Sequence, residues 1–327
     1  MDKTNKDIVD PKKFRHTRFK TYQQCPRKHY YIYKELIDTD TPATVIPGKL
    51  FHAALEAILS GEDPNPYYKE FEDLCNDGTL ELDPKLLSYI VREYMKYYKD
   101  DYANERLLAI EQEYTEDLSA DGDYMSVTVD QVVQNKLTEI ITIRDIKTTL
   151  KNLKYTQNDV QNNTQLLLYV PYVEANLNVK VDSIQIDEIR MDFLEEPPIN
   201  KNGKPTADKK RLSLVTYEAY HDLLCEMKLD TAAEYQEIQK YLQERGHPLF
   251  RRITQQILSE RIVETNLEDM YATYQLIKAG EKIQPYRVVS KLCEYCQFKP
   301  LCDLDRYIPN EVDREIIKNN LKNKKYT

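Results

Sequence analysis

The chain has 327 residues, enough for one large α/β domain with insertions or for two average domains, and its 41% hydrophobic content supports a sizeable core. A net charge of −9 excludes a protein that coats nucleic acid through bulk positive charge, though not one that touches it locally. No stretch approaches the roughly 20 apolar residues of a membrane span and the first residues lack the apolar core of a secretion signal, so a soluble, cytoplasmic protein is expected.

In that reducing compartment the six cysteines read as ligands or redox groups rather than disulfides. Three basic runs stand out, Lys12 to Lys20, Lys201 to Arg211 and Lys318 to Lys325. Each reads first as a solvated tail or loop.

Residues 14–37 interleave basic and aromatic side chains around Cys25-Pro26-Arg27-Lys28, and Pro26 predicts a first helical turn with Cys25 at its start. The aromatics there, Phe14, Phe19, Tyr22, Tyr30, Tyr31 and Tyr33, read as core first and as base-stacking groups second. From Gly48, an apolar stripe of Phe51, Ala54, Leu55 and Ile58 follows helical spacing, with His52 at its edge. A histidine in that position is by default packed or solvated. Residues 53–106 read as a helical insertion, and Leu107 to Leu118 as a strand bearing Glu111 and Glu113.

The next segment is the most informative. Val127, Val129, Val132 and Val133 precede a polar break at Gln134-Asn135-Lys136, and Ile140, Ile141, Ile143 and Ile146 follow it, which predicts two strands joined by a hairpin turn. Folding back near residue 137 brings Asp130 within about one register step of Asp145. Period-2 geometry puts Asp145 and Lys147 on one face. Two carboxylates and an ammonium suit a hard divalent cation and its water, or equally a buried ion pair.

Asn162-Asn163-Thr164 then caps a helix on which Gln165 and Tyr169, four residues apart, share a face, with Pro171 expected to kink it. Val181 to Asp192 alternates like a further strand, residues 213–303 read as a helical region, and residues 311–327 as a charged tail. No Gly-rich phosphate loop appears, so a motor activity is excluded. Cys293-x2-Cys296-x5-Cys302 is a compact ligand set that needs a fourth member, for which Cys25 is the best candidate. Zinc, an iron–sulfur cluster and free thiols all remain open at this point. A metal centre joining Cys25 to the trio would close a loop of about 270 residues, a constraint on the order of 5 kcal/mol.

Taken in order, Cys25-Pro-Arg-Lys, Gly48-x3-His52, Asp130, Asp145-x-Lys147, Gln165-x3-Tyr169 and Cys293-x2-Cys296-x5-Cys302 resemble the RecB-type branch of PD-(D/E)XK nucleases that carries an iron–sulfur cluster, which includes the AddB nuclease domain and the CRISPR adaptation nucleases. The resemblance spans about residues 15 to 303 of what it implies is a single nuclease domain, residues 1–310. The implied fold is a restriction-endonuclease-like mixed α/β sheet flanked by helices, with helical insertions, a catalytic part at residues 107–192 and an iron–sulfur clasp joining the N- and C-terminal segments.

The implied activity is Mg²⁺- or Mn²⁺-dependent hydrolysis of DNA, as an exonuclease on single strands or ends. The implied ligands are His52, Asp130, Asp145 and the Ile146 carbonyl for the metal, and Cys25, Cys293, Cys296 and Cys302 for a [4Fe–4S] cluster. Lys147 would act on water and phosphate, Gln165 and Tyr169 on the substrate strand. Glu113 matches a recurrent acidic position and is the candidate outer ligand. Val129 stands where relatives have the literal proline, and Val127 where many have glycine. A helicase or integrase partner, or a scaffold role with little activity alone, is the alternative.

Overall fold

The computed structural model describes residues 10–37, 43–280, 285–307 and 311–322. Strands β1 (Lys13–Phe14), β2 (Glu105–Asp117), β3 (Tyr124–Asn135), β4 (Ile141–Thr149), β5 (Ser183–Arg190) and β6 (Phe250–Gln256) form one six-stranded mixed sheet. The expected hairpin is β3–β4, with Gln131 paired to Arg144 and Gln134 to Ile141, so the chain folds back at the predicted place. β2 runs antiparallel along one edge of β3, leaving the other edge to be shared by β4 near residues 131–134 and by parallel β1 at residues 124–125. Between these two partners, residues 126–130 of β3 are unpaired on that edge. β4 and β5 pair in parallel over eight positions, and β6 closes the far side antiparallel to β5.

The helices before the sheet proper are α1 (His16–Gln24), α2 (Pro26–Tyr33), α3 (Ile46–Leu59), α4 (Asn65–Asn76), α5 (Leu86–Tyr97) and α6 (Lys99–Asn104). Those after it are α7 (Gln157–Gln161), α8 (Thr164–Leu177), α9 (Tyr217–Glu226), α10 (Ala233–Arg245), α11 (Glu260–Gly280), α12 (Lys299–Tyr307) and α13 (Glu311–Lys322). One sheet face packs Val127, Val129 and Ile143 against Leu166 and Val170 of α8 and Tyr274 of α11. On the other, Ile146 and Ile189 meet Phe51 and Leu55 of α3 and Leu87 and Ile90 of α5. The alternation of β4 explains this: Ile143 and Ile146 differ in parity and serve opposite layers.

β5 lies between neighbours and under both layers, and Ser183 to Ile189 are all buried. Its polar residues are therefore bonded, as burial demands. Asp187 accepts from both Arg252 (2.7 and 2.6 Å) and Tyr94 (2.6 Å), and Glu188 accepts the backbone N–H groups of Lys154 and Tyr155.

Two expectations, on residues 250–256 and on residues 311–322, need correction. Residues 250–256, read as part of a helical region, are strand β6, because Phe250 and Ile253 bury against β5 while the intervening polar residues meet Asp187 and Gln185. β1 was too short to leave a periodic signal. Pro171 sits inside α8 without ending it; the helix runs on to Leu177. Residues 311–322 of the charged tail form α13, which packs Ile317 and Leu321 against Tyr31 and Phe298. Residues 323–327 lie outside the described residues.

Candidate active site

Three strands and two helices converge where the ladder between β3 and β4 ends. Continuing the register of Gln131 with Arg144 by one step would set Asp130 opposite Asp145, and continuing β2 past Ile110 with Gln131 would set Glu111 opposite Asp130. One row across the sheet thus carries Glu111, Asp130 and Asp145. At this row the regular pairing gives way. Asp130 Oδ2 accepts the Ile146 N–H at 2.7 Å, and Glu111 adopts φ +43°, the left-handed region that a non-glycine residue enters at a cost of about 1–3 kcal/mol.

His52 comes from α3. Gly48 and His52 share a helix face, and a Cβ on Gly48 would meet Thr148 Oγ1 at 2.6 Å, so only glycine lets α3 approach the end of β4 this closely. That approach places His52 Nε2 3.0 Å from the Ile146 carbonyl oxygen, with Nδ1 3.0 Å from Glu111 Oε1 and 3.7 Å from Asp130 Oδ2. His52, Glu111 and Asp130 offer ligand atoms that all lie within 4.8 Å of one another.

Asp145 and Lys147 project to the other side, toward α8, as their shared parity requires. Lys147 Nζ is 2.9 Å from Asp145 Oδ1 and 2.8 Å from Oδ2, and donates to Gln165 Oε1 at 3.4 Å. Gln165 Nε2 donates to the Tyr169 hydroxyl at 2.6 Å. Asn163 caps α8 by accepting from the N–H groups of Gln165 and Leu166, which fixes where Gln165 emerges. These residues line one cleft of about 600 Å³.

The electrostatics follow from burial of like charges. Burial pushes the Asp145 carboxyl up to about 6, the Asp130 charge adds to this, and Lys147 opposes it. Burial also raises Asp130, against the pull of His52. Burial disfavours a charge on His52, yet Asp130 and Glu111 together draw its imidazole up to about 9. Lys147 is likewise desolvated but held above the usual lysine value by Asp145 and Asp130. Asp145 Oδ2 is buried and takes no well-formed hydrogen bond, although Lys147 lies at ion-pair distance. The excess of negative charge and the close set of His52, Glu111 and Asp130 fit a divalent cation held by oxygen and one imidazole, a set suited to Mg²⁺ or Mn²⁺.

A twisted mixed sheet that presents acidic groups and a lysine where two strands diverge defines a class of metal-assisted hydrolases. The chain belongs to the PD-(D/E)XK nuclease superfamily, whose sequence profile matches residues 13–303. The match is to the superfamily as a whole and does not single out the RecB-type branch. A search of curated proteins finds no match. The superfamily implies a metal-dependent nuclease with DNA as substrate. No helix among the described residues is long and apolar enough to cross a membrane.

Glu111, rather than Glu113, is the acidic residue of β2 that reaches the site. Glu113 bonds Lys13 Nζ at 2.5 Å and Ser126, a surface pairing that ties β1 to β2 and β3. The parity of β2 alone could not choose between the two; the strained backbone at Glu111 does. His16 was not singled out in the sequence. Its Nε2 lies 2.8 Å from Thr164 Oγ1 at the head of α8, and burial, with the charges of Lys20 and Lys147, lowers it to about 4.

The remaining candidates lie at another end of the chain. Cys25 starts α2 as predicted, Cys293 lies in a 3₁₀ turn at Lys291–Tyr295, Cys296 ends that turn and Cys302 is in α12. All are free thiols, half buried. Burial pushes the Cys296 thiol up. The four sulfurs do not form a compact set of the kind that His52, Glu111 and Asp130 make. Protein contacts make the join expected of an iron–sulfur clasp. Tyr31, Phe298 and Leu301 pack together, Tyr31 donates to Asp305 at 2.7 Å, and Arg314 bridges Asp305 and Glu35 at 2.6 Å each.

Several described members of the basic runs have protein partners. Arg18 is buried over the Phe14 ring, and Lys204, Lys209 and Lys318 pair with Glu234, Glu237 and Glu35. Phe14, Phe19 and Tyr31 are core residues, in line with the first of their two readings.

Proposed function

We propose that this chain is a Mg²⁺- or Mn²⁺-dependent deoxyribonuclease of the RecB type, acting as an exonuclease on single-stranded DNA or DNA ends. The cluster of His52, Glu111 and Asp130, whose ligand atoms lie within 4.8 Å of one another beside the Asp145–Lys147 pair, carries the reading. When bound, a divalent cation lowers the pKa of water and neutralises charge developing on the phosphate. His52, Asp130, Asp145 and the Ile146 carbonyl would hold it, and Glu111 holds the His52 ring in place through Nδ1. Lys147 keeps its proton and offers a positive charge to the phosphate. Gln165 fixes the ammonium by accepting from it, and Tyr169 fixes Gln165 by accepting in turn. A cleft of about 600 Å³ that holds the reacting groups at its lining is more easily entered by a flexible single strand than by a stiff duplex.

Cys25, Cys293, Cys296 and Cys302 are proposed to hold a [4Fe–4S] cluster. The reading rests on four free thiols, Cys25 at the start of α2 and three in and before α12, in segments that protein contacts already join. A single tetrahedral zinc, with bonds of about 2.3 Å, would need its sulfurs closer to one another than a cluster does. The cluster would add a covalent link to the contacts that already join α2 to α12. Brown protein that loses its colour in Cys296→Ala supports this, and colourless protein with stoichiometric zinc contradicts it. A helicase or integrase is the expected class of partner.

The test is a time course on 5′- and 3′-labelled single- and double-stranded DNA with each metal. Asp145→Asn and Lys147→Ala should each lower the rate by at least about 100-fold, since each removes charge that acts on the transition state. Unchanged activity in either variant rejects the site. Nicking of closed circular DNA with no preference for ends rejects the exonuclease reading alone.

A further inference from the structure

Outside the cleft, α9 and α10 carry a second constellation of reactive groups on a small core of their own, which includes Tyr220, Leu224, Ile238 and Leu242. Cys225 and His221 are four residues apart on α9 and share a face, with Cys225 Sγ 3.5 Å from His221 Nε2. His221 Nδ1 lies 2.8 Å from Gln239 Oε1 on α10, and Gln239 Nε2 donates to the Asp230 carbonyl at 2.8 Å.

The last of these bonds decides the others. Only the NH₂ of an amide can donate to a carbonyl, so the Gln239 oxygen must face His221. Nδ1 therefore bears the hydrogen, and in the neutral ring Nε2 is left with a lone pair directed at the thiol. Tyr217 stacks on the imidazole, with centroids 5.5 Å apart and planes at 12°, and holds it in that orientation. Nucleophile, base and orienting group thus stand in sequence, the arrangement that activates a cysteine. Cys225 is also the exposed cysteine of the six; the other five are half buried. Its slight burial and the charges of Asp230 and Asp222 hold the thiol above its ordinary value. Free ionisation is thus disfavoured, and the contact with Nε2 is what offers the thiol a base.

We propose that Cys225 is a thiol–disulfide exchange site, with His221 as its base, Gln239 as the positioning residue, and a small soluble disulfide of the glutathione class as the reactant. The Cys225 thiol passes its proton to His221 Nε2, and the sulfur attacks one sulfur of the disulfide. The disulfide bond breaks as the bond to Cys225 forms. The departing thiolate takes the proton from His221 and leaves as a thiol. The product is a mixed disulfide at Cys225 and one reduced thiol, with no other oxidant consumed.

The test uses the reduced full chain mixed with oxidised glutathione, followed by mass spectrometry of the intact protein and its peptides. The first adduct should map to Cys225. His221→Phe, which keeps a ring on Tyr217 but removes the base, should slow it about tenfold, and Gln239→Leu about threefold. Gln239→Glu, which still accepts from Nδ1, should restore the rate. If His221→Phe fails to fold, His221→Gln takes its place. A first adduct on another cysteine, or equal rates in wild type, the His221 variant and Gln239→Leu, would overturn the proposal.

Discussion

Asp130 and Asp145 bring two carboxylates close together, and His52 sits among enough negative charge to keep its proton to about pH 9. Both features favour a bound cation, and they set a pH dependence. A metal needs the neutral imidazole, so below a pKa of about 9 it must displace a proton from His52. Asp145, raised to about 6, adds a second competing proton only at lower pH. Between about pH 6.5 and about pH 8.5, Mn²⁺ affinity should therefore tighten as pH rises, by up to tenfold per unit. In His52→Gln, which binds no proton there, the slope should flatten. Calorimetric titration with Mn²⁺ measures both, and a slope that survives the substitution removes His52 from the ligand set.

At the level of elements, α3 and β4 are held together by a close approach that one atom would break. Gly48→Ala places a Cβ 2.6 Å from Thr148 Oγ1, so the helix must lift or the threonine must turn. Because His52 rides on the same helix face, activity should fall more than tenfold while stability falls by about 1–3 kcal/mol. Removing the obstructing hydroxyl in Gly48→Ala/Thr148→Ala should recover most of both, as read by nuclease rate and thermal melting.

β3 and β4 are also aligned from the same face, earlier along β4. Arg144, fully buried, donates to Gln185 (2.6 Å), Gln131 (3.0 Å) and Glu105 (2.6 Å) immediately before the row where the strands part. Arg144→Leu leaves these acceptors unmatched and Glu105 unpaired, at an expected cost of about 3–5 kcal/mol in urea unfolding. A loss below about 1 kcal/mol would show that the alignment is set elsewhere.

For the whole molecule, the notable feature is that chain segments nearly 280 residues apart close on one another. Arg314 joins Glu35 on one side and Asp305 on the other, over an apolar cluster of Tyr31, Phe298 and Leu321. The ion pairs are partly screened, with the Arg314 side chain 24% exposed. Arg314→Ala is therefore expected to cost about 1–2 kcal/mol and to speed proteolysis of the segment after α11, without changing the rate of the folded enzyme. Equal proteolysis in the variant would assign the join to the apolar contacts alone.

Local pattern was sufficient for what depends on neighbours in the chain. The fold-back near residue 137, the shared face of Asp145 and Lys147, the Asn163 cap and the Gly48–His52 spacing are local signals, and each stands in the structure, although Gln134 and Asn135, read as the break, belong to β3. What depended on distant partners was not legible. β6 is a strand because β5 offers it an edge, Pro171 stays within α8 because the surrounding core holds the helix, and α13 forms because Tyr31 and Phe298 cover its apolar side. The choice of Glu111 over Glu113 belongs to the same class. Both alternate to the same face of an ideal strand, and only the break in pairing at Asp130, with the left-handed backbone it imposes, turns one carboxylate to His52 and leaves the other to Lys13. Short-range periodicity is a property of the chain, whereas strain and burial exist only once distant segments meet.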